Sequence, residues 1–179
     1  MKVFRFIRCE GVTLIELMVV VAIVAIALSI GLPNFSTWMQ NQRIRTATES
    51  VLSGMQLARS EAVRRNTTVV FDLAADGGWN VGCAVPSATC PATIQRRSAA
   101  DSGTREISVA SEDGTTISFD GLGRMTAPMP DNGVNVAIDF DTPVLDAAES
   151  RDLRIIVNVA GAVRMCDPNV TSDTDVRKC

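Results

Sequence analysis

Glu16 is the only charged residue in a run of 21 otherwise apolar or small residues, Val12 to Leu32. As a helix, a run of that length crosses a bilayer core of about 30 Å. A carboxylate placed inside it costs about 2.5–3.5 kcal/mol on insertion scales, so Glu16 calls for a cation to pair with or a task to perform. The bland reading is a polar residue tolerated near the membrane edge. Lys2, Arg5 and Arg8 precede the run and form a basic flank that stays on the cytoplasmic side. The cysteines are the second chemically capable set. Cys9 lies ahead of the run, and Cys83, Cys90, Cys166 and Cys179 lie beyond it, on the expected outer side. Four cysteines allow three pairings. The economical one joins Cys83 to Cys90 and Cys166 to Cys179, each closing a short, polar loop that contains a proline. A zinc site is the alternative, but neither spacing is that of a usual zinc knuckle. The chain has no His and no Tyr, which removes the commonest general base and the commonest metal ligand. No nucleophile–base pair is apparent, so the expectation is a protein without enzymatic activity, cofactor or metal.

The 179 residues allow an anchor and one globular domain. After Pro33, residues 34–65 contain no further proline and a single glycine. Ile44, Ala47, Val51, Met55, Ala58 and Ala62 recur there at helical spacing, among Arg43, Arg45, Glu49, Arg59, Glu61, Arg64 and Arg65. The pattern predicts one helix from about Thr13 to Arg65, bent near Gly31–Pro33 and roughly 80 Å long at 1.5 Å per residue. A membrane helix followed by a separate soluble helix is the plainer alternative. Beyond Asn66 the texture changes to short strand-like runs. These are Thr67–Leu73, Trp79–Val85 after an Asp76-Gly77-Gly78 turn, Glu106–Ala110, Thr115–Asp120, Val134–Asp139, Leu153–Val159 and a short Val163–Cys166. Residues 86–104 read as polar and irregular. Six or seven strands behind one long helix give an α+β fold, with a single antiparallel sheet packed on the amphipathic half of the helix.

The N-terminal pattern resembles the class III signal of type IV prepilins and type II secretion pseudopilins. Basic leader, Gly11, Thr13-Leu14-Ile15-Glu16, apolar run and Pro33 agree with that family in order and spacing. The resemblance implies cleavage between Gly11 and Val12 by a prepilin peptidase, N-methylation of Val12, and Glu16 as the fifth mature residue. In the family this carboxylate pairs with the N-terminal amine of a neighbouring subunit, and Pro33 is the helix-bending proline. Val12 stands where Phe or Met is usual, and Glu10 sits beside the cleavage glycine; slower processing is the most that these departures imply. Loss of residues 1–11 removes three basic residues and one acid, leaving 14 Lys+Arg against 19 Asp+Glu, a net charge of −5. It also leaves an even number of cysteines.

The rest of the chain resembles the H-type branch of this family, the group of pseudopilin H and the FimU and FimT minor pilins. Ala58-Arg59-Ser60-Glu61-Ala62 at the helix end, Trp79-Asn80-Val81-Gly82, Phe119 to Gly123 and Leu153 to Cys166 carry the likeness. Cys166-Asp167-Pro168 and Cys179 look most like a FimU-type member. The implied architecture is type IV pilin-like. A leader occupies 1–11, a transmembrane and assembly half of the helix 12–33, its amphipathic half 34–66, and a periplasmic β-domain with a disulfide-closed tail 67–179. The implied function is a minor pilin that primes assembly and caps the tip of a type IV pilus serving adhesion and twitching. Its partners would be other minor pilins, the major pilin, the prepilin peptidase/N-methyltransferase and the inner membrane, which it crosses once with its C-terminal domain in the periplasm. An H-type pseudopilin of type II secretion is the alternative. A DNA-binding pilin is the second alternative, resting on Arg164, Arg177 and Lys178. The Gly-Arg-x-Arg motif of such pilins is here Gly161-Ala162-Val163-Arg164. From Gly161 onward three basic residues face three aspartates, too balanced for a phosphate-binding tail. Trp79 reads as a core aromatic, Gly121 and Gly123 as a turn, Arg64-Arg65 as the solvated end of the helix, and Arg96-Arg97 as a solvated loop or a contact patch.

Overall fold

The computed structural model describes residues 11–102, 107–111, 113–128 and 135–179. The chain divides into two compact units between Ser36 and Thr37, and one helix, α1 (Leu14–Arg65), contributes to both. In the first unit α1 has no buried side: the large apolar side chains from Val12 to Leu28 are 49–77% exposed. Among the described residues, no helix is long and apolar enough to cross a membrane; the described side chains of this segment stop at Ser29. Residues 1–10 of the expected leader, and the side chain of Pro33 with the bend expected there, lie outside the described residues.

In the second unit the helical period decides what is buried. Ile44, Ala47, Val51, Met55, Ala58 and Ala62 are all at most 1% exposed. Several are small, which lets sheet side chains approach the backbone. Gly54 extends this: a Cβ there would come within 2.8 Å of the Phe71 ring and 3.1 Å of the Trp79 indole. The helix ends where Asn66 turns left-handed at φ 49°, with Thr67 N–H returning to the Ala62 carbonyl at 3.2 Å. Asn tolerates that conformation, so it serves where Gly usually stops a helix.

Among the described residues nine strands follow: β1 (Val69–Leu73), β2 (Trp79–Cys83), β3 (Gln95–Arg97), β4 (Ser108–Ala110), β5 (Thr116–Phe119), β6 (Met125–Ala127), β7 (Asn135–Asp141), β8 (Leu153–Asn158) and β9 (Val163–Cys166), with a single-turn helix α2 (Ala99–Ser102) between β3 and β4. Period-2 alternation sets the inner face, with Val69, Phe71 and Leu73 on β1 and Trp79 and Val81 on β2 all buried. Phe119, Ile138, Phe140, Ile155 and Val157 join them and the α1 stripe in one apolar core.

Two features differ from the sequence reading. Residues 86–104 are not irregular throughout, because β3 and α2 form there. The β-domain also has two antiparallel sheets in place of one, ordered β3-β2-β1-β5-β6 and β4-β7-β8-β9. A register shift between Ser118 and Phe119 lies within the first sheet, where β5 pairs β6. Such an irregularity disrupts the ladder and bends the strand. β6 is only three residues long, and the chain then starts a second meander. The Met125 N–H reaches the Val159 carbonyl at 3.2 Å, joining the edge of the first sheet to the β8–β9 turn of the second.

Candidate functional site

The N-terminal constellation is built by helix capping. Gly11, Val12 and Thr13 are non-helical and exposed, and among the described residues beyond its chain neighbours nothing approaches within 4 Å of where a Gly11 Cβ would stand. Thr13 then caps α1: the Glu16 N–H donates to Thr13 Oγ1 at 3.3 Å, and the Leu17 N–H donates to the Thr13 carbonyl at 3.1 Å. Thr followed three residues later by Glu is the spacing of a capping box, and an acid in the first turn also suits the helix dipole. Thr13 was quoted in the sequence reading only as part of a motif; its N-cap role was legible in the same four residues. The geometry places the Gly11–Val12 peptide bond in accessible backbone, two residues before an apolar helix whose first turn carries the single carboxylate.

In the second unit the recurrent motifs converge on one junction. Arg59 Nε donates to the Gly123 carbonyl at 3.0 Å, from α1 to the β5–β6 turn. Gly123 and Gly161 both have φ of 78°. A Cβ on Gly161 would overlap the Gly123 carbonyl and lie 3.2 Å from Arg59 Nε. The β8–β9 turn therefore touches the β5–β6 turn only because residue 161 has no side chain. Arg59 ties the helix, the first sheet and the second sheet together at one point. From the sequence, Arg59 is visible only as one of the polar residues around the stripe and as part of a family motif.

Trp79 is 4% exposed, and its indole N–H donates to Ser50 Oγ at 3.0 Å, which satisfies the polar handle of a buried ring. Arg97 Nη1 donates to the same hydroxyl at 3.2 Å. Arg96 and Arg97 are therefore not in a loop: they lie on β3, the edge strand of the five-stranded sheet. Nor is the helix end simply solvated. Arg65 Nε pairs with Glu61 at 2.7 Å while its Nη1 donates to the Thr89 carbonyl. Arg64 also pairs with Glu61, at 2.6 Å. The Arg64 hydrogen bond first, and the Arg65 bond after it, hold the Glu61 carboxyl below the ordinary glutamate range despite an opposing contribution from burial.

The cysteines form two bridges. Cys83–Cys90 has a Cα–Cα separation of 5.7 Å with both residues buried; Cys166–Cys179 spans 5.1 Å with Cys166 buried and Cys179 exposed. Among the described residues no group of three or more His, Cys, Asp or Glu could hold a metal ion. The tail cations are occupied within the tail. Arg164 donates to the carbonyls of Lys178 and Cys179 at 3.2 and 3.1 Å. Arg177 pairs with Asp175 at 2.7 Å, and Lys178 pairs with Asp173. The Arg177 hydrogen bond is the main cause that brings the Asp175 carboxyl down to about 2.

An apolar N-terminal helix that continues into the core of an antiparallel β-domain defines a type IV pilin-like subunit. The family described as Type II transport protein GspH matches residues 47–161, and the chain belongs to that family of H-type pseudopilins and minor pilins. The Prokaryotic N-terminal methylation motif matches residues 7–32. Two crystal structures of the type IV minor pilin FimU of Pseudomonas aeruginosa (strain PAO1) have the same fold. One is 14% identical with a TM-score of 0.53, covering 75% of this chain and 99% of that chain; the other is 15% identical with a TM-score of 0.50, covering 72% and 99%. No curated protein sequence matches the chain. Family and fold are those of structural pilin subunits, not of enzymes.

Proposed function

We propose that this chain is a minor pilin of a bacterial type IV pilus, cut between Gly11 and Val12 and N-methylated on Val12. Residues 12–33 anchor it in the inner membrane and carry its assembly contacts, with the helix bending at Pro33. Residues 34–66 cover the β-domain of 67–179 in the periplasm. From the membrane pool the subunit passes into the filament, where it joins other minor pilins and the major pilin and takes part in priming and capping the tip. The observation that carries this reading is the exposed Gly11–Val12 bond ahead of an apolar helix whose first turn holds Glu16 as its only charge. Drawn into a bundle of such helices, the Glu16 carboxylate meets the methylated amine of a neighbour, and each compensates a charge that is costly in low dielectric. The fold likeness to FimU puts a pilus first.

The match to the GspH family favours a second reading, an H-type pseudopilin of type II secretion. The neighbouring genes separate the two. A DNA-binding pilin has less support, because Arg164, Arg177 and Lys178 are all spent on tail carbonyls and aspartates.

Intact-mass measurement of protein recovered from membranes or sheared filaments tests the processing step. The expected mass is that of a chain starting at Val12 with one added methyl group; a mass that retains residues 1–11 in peptidase-positive cells overturns it. Glu16→Ala is expected to stay in the membrane, since it removes a costly carboxylate, yet to be lost from filaments. Wild-type recovery of Glu16→Ala in sheared filaments would exclude the pairing role.

A further inference from the structure

Among the described residues of the second unit, many cations are neutralised by a neighbour. Arg45 pairs with Glu49, Arg64 and Arg65 with Glu61, Arg124 with Asp120, Arg154 with Asp139, Arg177 with Asp175 and Lys178 with Asp173. Arg96 breaks the pattern. Its side chain makes no hydrogen bond or ion pair among the described residues, and it stands on β3, all three residues of which are exposed. Arg151 is also without a side-chain partner but lies in a loop, where it has no sheet edge beside it. Among the described residues β3 pairs only with β2, and no described strand lies against the other side of its backbone. Arg97, the next residue, points to the opposite face of the sheet, where its side chain donates to the Ser50 hydroxyl.

An open strand edge is a template for another strand. Three residues at about 3.3 Å each give an edge of only about 10 Å, too short for main-chain hydrogen bonds alone to hold a partner. Guanidinium groups add what the edge lacks, because they take carboxylates through paired N–H donors. We propose that β3 is a docking edge that takes up an extended, acidic segment of a partner protein as a sixth strand, its carboxylates engaging Arg96 on the face of the sheet away from α1. Charge complementarity sets the partner's chemistry: an acidic strand is drawn in and a basic one is repelled at that residue. The competing role for such charges is to guard the edge against any pairing. The proposal does not depend on whether the chain serves a pilus or a secretion pseudopilus.

Hydrogen–deuterium exchange on the full chain in detergent micelles separates these roles, because strand addition protects backbone amides while a side-chain contact does not. The probe is a short blocked peptide of alternating Val and Glu, compared with its Val–Lys counterpart and with a version carrying a central Pro. The acidic peptide is expected to slow exchange at residues 95–97 about tenfold or more. The basic and the Pro-containing peptides are expected to leave exchange unchanged. Arg96→Glu is expected to abolish the protection and Arg96→Lys to keep part of it, with circular dichroism verifying that both variants are folded. Peptide binding without amide protection, equal protection by the basic peptide, or no response to any peptide each overturns the proposal. Undiminished protection in Arg96→Glu overturns the part assigned to that residue.

Discussion

The two parts of α1 obey the same backbone geometry and differ in what surrounds their side chains. From Val12 to Leu28 apolar residues stand on every side and all are exposed. From Ile44 to Ala62 the apolar positions fall at three- and four-residue spacing, and those are the ones that are buried. A helix apolar all round has no preferred side and finds its burial outside its own chain, in lipid or among like helices. A helix with one stripe finds it inside the domain. The lesson is that periodicity, more than hydrophobicity, tells whether a helix belongs to its own fold or to an assembly.

Mutations can break or sharpen this contrast. Val51→Asp places a carboxylate at a position with no exposure, and should cost more than about 4 kcal/mol or prevent the β-domain from folding. Thermal unfolding followed by circular dichroism checks this. An unchanged midpoint would mean that the stripe does not carry the core. Arg59→Met keeps the length of the side chain but leaves the Gly123 carbonyl without its donor. The expected loss is about 1–3 kcal/mol, with Arg59→Lys recovering part of it, read in the same melts.

A smaller effect follows from Glu61. Its folded-state pKa lies below the ordinary value of 4.5, so it binds protons less readily in the folded chain than in the unfolded one. Its contribution is therefore complete above the ordinary range and is lost as pH falls through the folded value. Glu61→Gln should remove that part of the acid-side pH dependence and cost about 1 kcal/mol near neutrality, through weakened bonds to Arg64 and Arg65. Melts across the acid range in both proteins test it. The smallest effect belongs to the other part of α1. Val20→Ser should leave β-domain stability within about 0.5 kcal/mol of wild type, because Val20 is exposed. If Val20→Ser moved the melting midpoint as far as Arg59→Met does, the two parts of α1 would not be energetically distinct.

Much of the architecture was legible because long periodic segments leave little choice. The α1 stripe, the strands β1, β2, β5, β7, β8 and β9 and the buried Trp79 all follow from apolar spacing. β3 and β6 were not legible. Gln95-Arg96-Arg97 has no apolar residue to alternate, and Met125–Ala127 is too short to show a period; each is a strand because its neighbour offers a ladder. The division into two sheets depends on which strands pair across long stretches of chain, as β4 does with β7, and no composition signals that. At the N-terminus, Glu16 stood out as the one charge in an apolar run, and Gly11 and Val12 through the resemblance to the prepilin signal. The Arg59–Gly123–Gly161 junction did not, because it joins residues far apart in sequence through a carbonyl and a missing side chain.

The Trp79–Ser50 hydrogen bond has a practical consequence. With two tryptophans and no tyrosine, the chain's intrinsic emission comes from Trp38, which is exposed, and Trp79, which is sealed in the core. A Trp38→Phe variant would leave one emitter, held against the Phe71 ring at a centroid distance of 5.9 Å and bonded to α1 through Ser50. Its spectrum would be blue-shifted and resistant to aqueous quenchers for as long as α1 stays seated on the first sheet. That single indole would act as a built-in optical gauge of whether the helix remains docked on the sheet.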